Sequence, residues 1–142
     1  MKIAYKHLVN HIDSKPDINE ISHKLFQLGH EHEIENDIFD IEFTPNRGDC
    51  LSVIGLLRDL NVFYDINFDK KKYEKDIDFF DIDFTNNARE DCQDISFLKI
   101  EVDGKFKNYK DYLNDYFKLL DVKKKNFFTD VSNYLSYEMG QP

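Results

Sequence analysis

The chain has 142 residues, 41% apolar and 33% charged, and carries a formal charge of −9 from 28 acidic and 19 basic side chains. Thirteen Phe and eight Tyr are enough to fill a core, which excludes disorder throughout, and the length suits one compact domain or two small ones. The acidic balance argues against the chain gripping a phosphate backbone by itself, because that grip rests on Lys and Arg.

The basic runs Lys70–Lys72 and Lys123–Lys125 sit among acids and read as solvated lysines. No apolar run approaches the ~20 residues of a membrane span, and the N-terminus lacks the apolar stretch of a signal peptide. A soluble cytoplasmic protein is the simplest expectation. Cys50 and Cys92 have no companions at metal-ligand spacing and read as reduced thiols.

In chain order, Tyr5, Leu8, Val9 and Ile12 predict a short helix, broken by Asp13 to Pro16. A second helix follows. Asp17 is placed to cap it, Glu20 completes a capping-box spacing, and Gly29 suits its left-handed end. Its apolar stripe is Ile18, Ile21, Leu25 and Leu28. Phe39, Ile41 and Phe43 alternate with Asp40 and Glu42, the period of a strand with one wet face. Pro45 forces Thr44 into an extended conformation, and Asn46 to Gly48 make a turn. Asp49 is expected to cap a third helix that buries Val53, Leu56, Leu57, Leu60 and Tyr64.

Residues 65–76 are rich in Asp and Lys and read as a linker. Beyond them Phe80, Ile82 and Phe84 alternate with Asp81 and Asp83, and Leu98, Ile100 and Val102 alternate with Lys99, Glu101 and Asp103. Both predict strands, separated by a polar loop from Asn86 to Asp94, with a tight turn at Asp103-Gly104. A fourth helix follows, its apolar face formed by Tyr109, Tyr112, Leu113, Tyr116, Phe117 and Leu120. Core packing is favoured over base stacking for those tyrosines. A last helix runs from about Val131 to Met139, started by Asp130 or Thr129 and ended by Gly140.

Several residues invite chemistry. Arg47 precedes a helix N-terminus, where its charge opposes the helix dipole. Its guanidinium either clamps carboxylates or carbonyls in fork geometry or pairs simply with Asp49. His7 and His11 stand four apart on a helix, and His30 and His32 flank Glu31. Spacing supplies no third zinc ligand, so surface histidines are the favoured reading. The pairs Asp40/Glu42 and Asp81/Asp83 read as solvated strand faces. No glycine-rich phosphate loop and no Ser-His-Asp or Cys-His pattern is present.

Three blocks carry a resemblance. They are Met1-Lys2-Ile3 to Ile12-Asp13 with Leu28-Gly29; Phe43-Thr44-Pro45-Asn46-Arg47-Gly48-Asp49-Cys50-Leu51-Ser52-Val53-Ile54-Gly55; and Asp130-Val131-Ser132-Asn133-Tyr134 with Glu138-Met139-Gly140-Gln141-Pro142. In this order they resemble the N-terminal part of the bacterial-type phenylalanyl-tRNA synthetase β-subunit, in a short form lacking an inserted tRNA-binding domain. The resemblance implies an α+β fold. A small N-terminal helical domain with a short strand or hairpin (1–66) leads through a linker and edge strand (67–91) to the incomplete opening of an α/β editing module (92–142).

The same resemblance implies a structural part of an αβ heterotetramer that charges tRNA with phenylalanine, using ATP and Mg²⁺, and edits mischarged tyrosine. The partners would be the α-subunit and the rest of the β-subunit, with tRNA reached only through the whole complex. The chain itself would hold no cofactor and no catalytic residue. Thr44, Pro45, Asn46, Arg47, Asp49 and Cys50 would be structural or interface residues. Asp130, Asn133, Tyr134, Glu138, Gly140, Gln141 and Pro142 would be the editing-module signature. Departures stand at Asp94 and Ile95, where the family shows Arg-Tyr, and at Asp121-Val122-Lys123, where it shows Gly-Ile-Arg. The family subunit is several times longer, so the chain is expected to be a fragment or a shortened frame. The alternative is a stand-alone acidic protein-interaction module without enzymatic activity.

Overall fold

The computed structural model of the protein describes residues 1–66, 68, 76, 78–102 and 108–141. It contains β1 (Lys2–Ala4), α1 (Tyr5–Val9), α2 (Ile18–Gln27), β2 (Glu31–Glu35), β3 (Ile38–Glu42), α3 (Val53–Leu60), α4 (Asp111–Leu119) and α5 (Phe127–Met139), a mixed α and β fold. Two units are distinct. One comprises Met1–Asp69 and Phe106–Pro142 and holds every one of these elements; the other is Lys70–Lys105. The first unit therefore joins α4 and α5 to the first 69 residues.

In the first unit β3 is the centre of an antiparallel sheet of order β1-β3-β2. Phe39 and Ile41 point inward and are fully buried while Asp40 and Glu42 face water, as the alternation predicts. The resemblance allows a strand or hairpin here; the hairpin forms, with β2 as the partner that the residue pattern did not mark. Asn36 and Asp37 both adopt left-handed φ (50° and 62°), the two-residue turn that suits strand twist, and this sets Glu35 opposite Ile38. β1 was also missed, because a three-residue strand gives too short a pattern. Ile3 on β1 pairs with Phe39.

The helices cover this sheet. Asp17 caps α2 by accepting from the Glu20 amide at 2.9 Å, and Gly29 takes φ 82° beyond its end. Only half the capping box forms, because the Glu20 carboxylate accepts from the Tyr64 hydroxyl instead. Val53, Leu56, Leu57, Leu60 and Tyr64 are all buried, together with Ile21, Leu25, Leu113, Tyr116 and Phe117, in one core. Tyr112 is the exception on α4 and is exposed.

Two cap assignments need correction. Ser52, not Asp49, caps α3 by accepting from the Gly55 amide at 2.9 Å. Asp49 lies in a 3-10 turn (Gly48–Cys50), too early to reach the helix's free amides. Asn126, not Asp130 or Thr129, caps α5 by accepting from the Thr129 amide at 3.1 Å. Asp130 lies one turn in and fully buried, where it accepts from the Tyr109 hydroxyl and the Lys125 amide. Gly140 ends α5 at φ 73°, as expected.

In the second unit the strand expectations fail. Among the described residues, 78–102 form no strand and only one turn, at Ala88–Cys92. The alternation is present, but among the described residues no second strand offers the backbone a neighbouring edge. Dense Asp further disfavours pairing. Phe84 and Phe97 meet edge to face at 4.8 Å, and the Asn86 side-chain amide donates to the Cys92 carbonyl at 2.7 Å, holding the polar loop. Most of the linker expected at 65–76 and the Asp103-Gly104 turn lie outside the described residues. Ile66, at the linker's start, is buried and bridges to Ile12.

Candidate functional site

The Thr44–Gly55 motif builds a dense polar cluster with residues of α3 and with His30. Pro45 and Asn46 form the turn, closed by the Arg47 amide donating to the Thr44 carbonyl at 2.9 Å. The 3-10 turn then swings Asp49 and Cys50 towards α3, and this requires Gly55. An ideal Cβ there would lie 2.1 Å from the Asp49 carbonyl oxygen, a distance no side chain tolerates.

Within this frame the Arg47 guanidinium is a fork. Its Nε and Nη2 donate to the two Asp49 carboxylate oxygens at 3.1 and 3.2 Å, and Nη2 also reaches Asp59 Oδ2 and Cys50 Sγ (2.7 Å). Arg58 closes the ring by donating to Asp49. Asp59 in turn sits 3.1 Å from His30 Nε2. The sequence left open a carboxylate clamp or a plain Asp49 pair. Both occur at once.

His30 is buried, against the expectation of a surface histidine, with its ring edge-on to Phe43 at 5.3 Å. The chain turns inward just after Gly29, which places residue 30 under the motif. Asp59 and Arg58 were not singled out in the sequence. The available signal was an acid and a base embedded in the buried run Leu56-Leu57-Leu60, on the flank of α3.

The cluster's protons are held tightly. The Arg47 hydrogen bonds to Asp49 and Asp59 push its own pKa up. The Arg47 hydrogen bond outweighs the opposing effect of desolvation and lowers Asp49 to about 2. For Asp59, desolvation acts upwards, but bonds from Arg47, His30 and Cys50 leave it below the ordinary carboxylate value. Desolvation and the Asp59 charge push Cys50 up to about 11, so it remains a thiol and a poor nucleophile. No group here is freed to act as base or nucleophile; the arrangement locks backbone segments together.

Among the described residues, His30, Cys50 and Asp59 are the one group that could offer a metal three ligand atoms, all within 4.8 Å of one another. The Arg47 guanidinium lies against two of the three. A divalent ion would have to displace it and deprotonate a thiol whose pKa is raised. His7 belongs elsewhere, 2.8 Å from the Tyr137 hydroxyl.

The other block of candidate residues is spread along α5 and gathers no site of its own. Asp130 is buried and hydrogen-bonded, and Asn133 is exposed. Tyr134 packs on Tyr112 and Tyr116, and burial and nearby Glu138 raise its pKa. The Gln141 carbonyl accepts from Ser136, and Pro142 lies outside the described residues. The two blocks do meet: a Cβ on Gly140 would lie 3.4 Å from Ser52, the cap of α3.

Sequence comparison with known proteins points one way. Phenylalanine–tRNA ligase beta subunits match the chain in Rickettsia felis at 34% identity over 77% of it, in Aquifex aeolicus at 34% over 93%, and in Rhodopirellula baltica at 28% over its whole length. The chain is related to phenylalanine–tRNA ligase beta subunits. The matches cover only 13%, 16% and 22% of those subunits, so the chain spans less than a quarter of each beta subunit it resembles. No family model and no solved structure matches it. No helix among the described residues is long and apolar enough to cross a membrane.

Proposed function

We propose that this chain is a scaffold portion of a bacterial-type phenylalanine–tRNA ligase beta subunit, working in an αβ heterotetramer that charges tRNA with phenylalanine. The observation that carries the reading is the match to beta subunits over 77–100% of the chain. The motif cluster agrees with a structural role: Arg47, Asp49, Asp59 and His30 satisfy one another and leave no reactive group. ATP and Mg²⁺ would be bound elsewhere in the enzyme. The direct partners would be the α subunit and the rest of the beta subunit, in the cytoplasm, with tRNA met only through the whole complex.

Asp130, Asn133, Tyr134, Glu138 and Gly140 would open a module that hydrolyses tyrosine misattached to that tRNA. Such a second site is needed because an apolar pocket rejects an added hydroxyl only about a hundredfold. A second reading, a free acidic protein-interaction module, is favoured by the charge of −9 together with the exposed apolar side chains of residues 78–102.

The test is a chimera in which this chain replaces the matching stretch of a phenylalanine–tRNA ligase beta subunit. Assembly with the α subunit and phenylalanylation should survive. Arg47→Ala in the chimera should lower its melting temperature or its assembly while leaving the KM values for phenylalanine and ATP unchanged. A chimera that folds but neither assembles nor charges tRNA would favour the interaction module. Hydrolysis of tyrosyl-tRNA by the 142-residue chain alone would overturn the scaffold assignment.

A further inference from the structure

Among the described residues, 98–102 pair with no strand and stay largely exposed, although Leu98, Lys99 and Glu101 line a cavity with Phe79, Phe80 and Ile82. Leu98, Ile100 and Val102 are 61%, 71% and 39% exposed, and among the described residues none of their backbone groups finds a hydrogen-bond partner. Backbone N–H and C=O groups in an apolar strand seek a second edge.

The order of side chains selects which edge fits. Folded against a second copy of itself in antiparallel register about Ile100, the segment sets Leu98 opposite Val102, Ile100 opposite Ile100, and Lys99 opposite Glu101. The apolar residues then share one face. On the other face two opposite-charge pairs form, related by the two-fold axis. Lys99 and Glu101 already face the same way, 3.2 Å apart and both exposed, so exchanging that bond for its symmetric counterpart costs little. The second alternating segment cannot do this. About Ile82 the same operation sets Asp81 opposite Asp83, a like-charge pair.

We infer that this chain self-associates as a two-fold dimer through antiparallel pairing of Leu98–Val102. The inference does not depend on the synthetase reading, and its test involves neither the α subunit nor tRNA.

Sedimentation equilibrium of the intact chain should show a monomer–dimer equilibrium. Lys99→Glu and Glu101→Lys should each weaken it by about tenfold or more, because two attractive pairs become repulsive. The double variant Lys99→Glu/Glu101→Lys should restore it, since the pairs are merely reversed. Net charge does not explain this pattern: the singles carry −9 − 2 = −11 and −9 + 2 = −7, and the double keeps −9. General repulsion would make Glu101→Lys associate more tightly than the parent. That result, a monomer at every concentration, or a dimer indifferent to these changes would each overturn the inference. The side chains are exposed, so circular dichroism should show all four proteins equally folded.

Discussion

Residues 39–43 and 80–84 carry nearly the same pattern, Phe-Asp-Ile-Glu-Phe against Phe-Asp-Ile-Asp-Phe, yet one stretch lies in the central strand and the other pairs with no described segment. Ile41 is fully buried; Ile82 is about half exposed. The difference lies outside the pattern. Before Phe39 the Asn36-Asp37 turn delivers an adjacent edge at once, β1 supplies a second, and α2 and α3 cover the apolar face. Around Ile82 no described segment supplies any of these. Alternation says which face a strand would bury, while a neighbouring edge decides whether the strand exists.

That contrast breaks most sharply at Phe39. Removing its buried ring leaves a cavity between sheet and helices that the surrounding side chains cannot fill. Phe39→Ala should cost about 3–5 kcal/mol, a large share of the stability of a chain this size, read as a fall in the urea midpoint at constant slope.

The same logic explains what was legible in the sequence. Elements with their own punctuation could be read directly: α2 from Asp17 and Gly29, α3 from its spacing, β3 from its alternation. What escaped was decided by tertiary contact. β2 (Glu-His-Glu-Ile-Glu) has no apolar alternation, and its identity rests on the Asn36-Asp37 turn and on pairing with β3. In the candidate site Arg47 and Asp49 were visible because they lie in one motif. Their partners were not, because His30 and Asp59 come from 17 residues before and 12 residues after Arg47, and only folding brings them together.

A smaller effect tests the corrected cap. Ser52 and Asp49 are both side-chain acceptors near the start of α3, but only Ser52 accepts from a helix amide. Ser52→Ala should destabilise by about 1 kcal/mol. The buried amide of Gly55 would then have no side-chain acceptor. A Ser52→Ala protein as stable as the parent would return the cap to Asp49.

The first unit should also sense pH through His7. The Tyr137 hydroxyl accepts from the Ala4 amide at 3.3 Å and lies 2.8 Å from His7 Nδ1. His7 Nε2 is buried with no hydrogen-bond partner among the described residues. Burial lowers the pKa of His7; Asp115 opposes this, and Lys6 and His11 assist it. In the unfolded chain a histidine titrates near 6.5. Between that value and the lower folded one the unfolded state binds more protons, so stability should fall as pH drops below about 6.5 and level off beneath the folded pKa. The depressed carboxylates Asp49 and Asp59 act separately, at lower pH. Urea midpoints followed from about pH 8 to about pH 5 should show the histidine limb, and His7→Gln should flatten it.

The smallest effect belongs to Phe79, which is 92% exposed. Its ring contributes almost no burial within the chain, so Phe79→Ser should change the unfolding free energy read from the urea midpoint by no more than about 0.5 kcal/mol. Both this variant and Phe39→Ala remove a phenylalanine ring, and the same solvent is used, so the contrast between them is governed by what each ring touches. If Phe79→Ser cost as much as Phe39→Ala, residues 78–102 would be unfolding as part of the cooperative core, and their apolar side chains would be covered in solution. A null result leaves the chain's stability with the first unit, and it leaves the exposed apolar side chains free for contacts made between molecules.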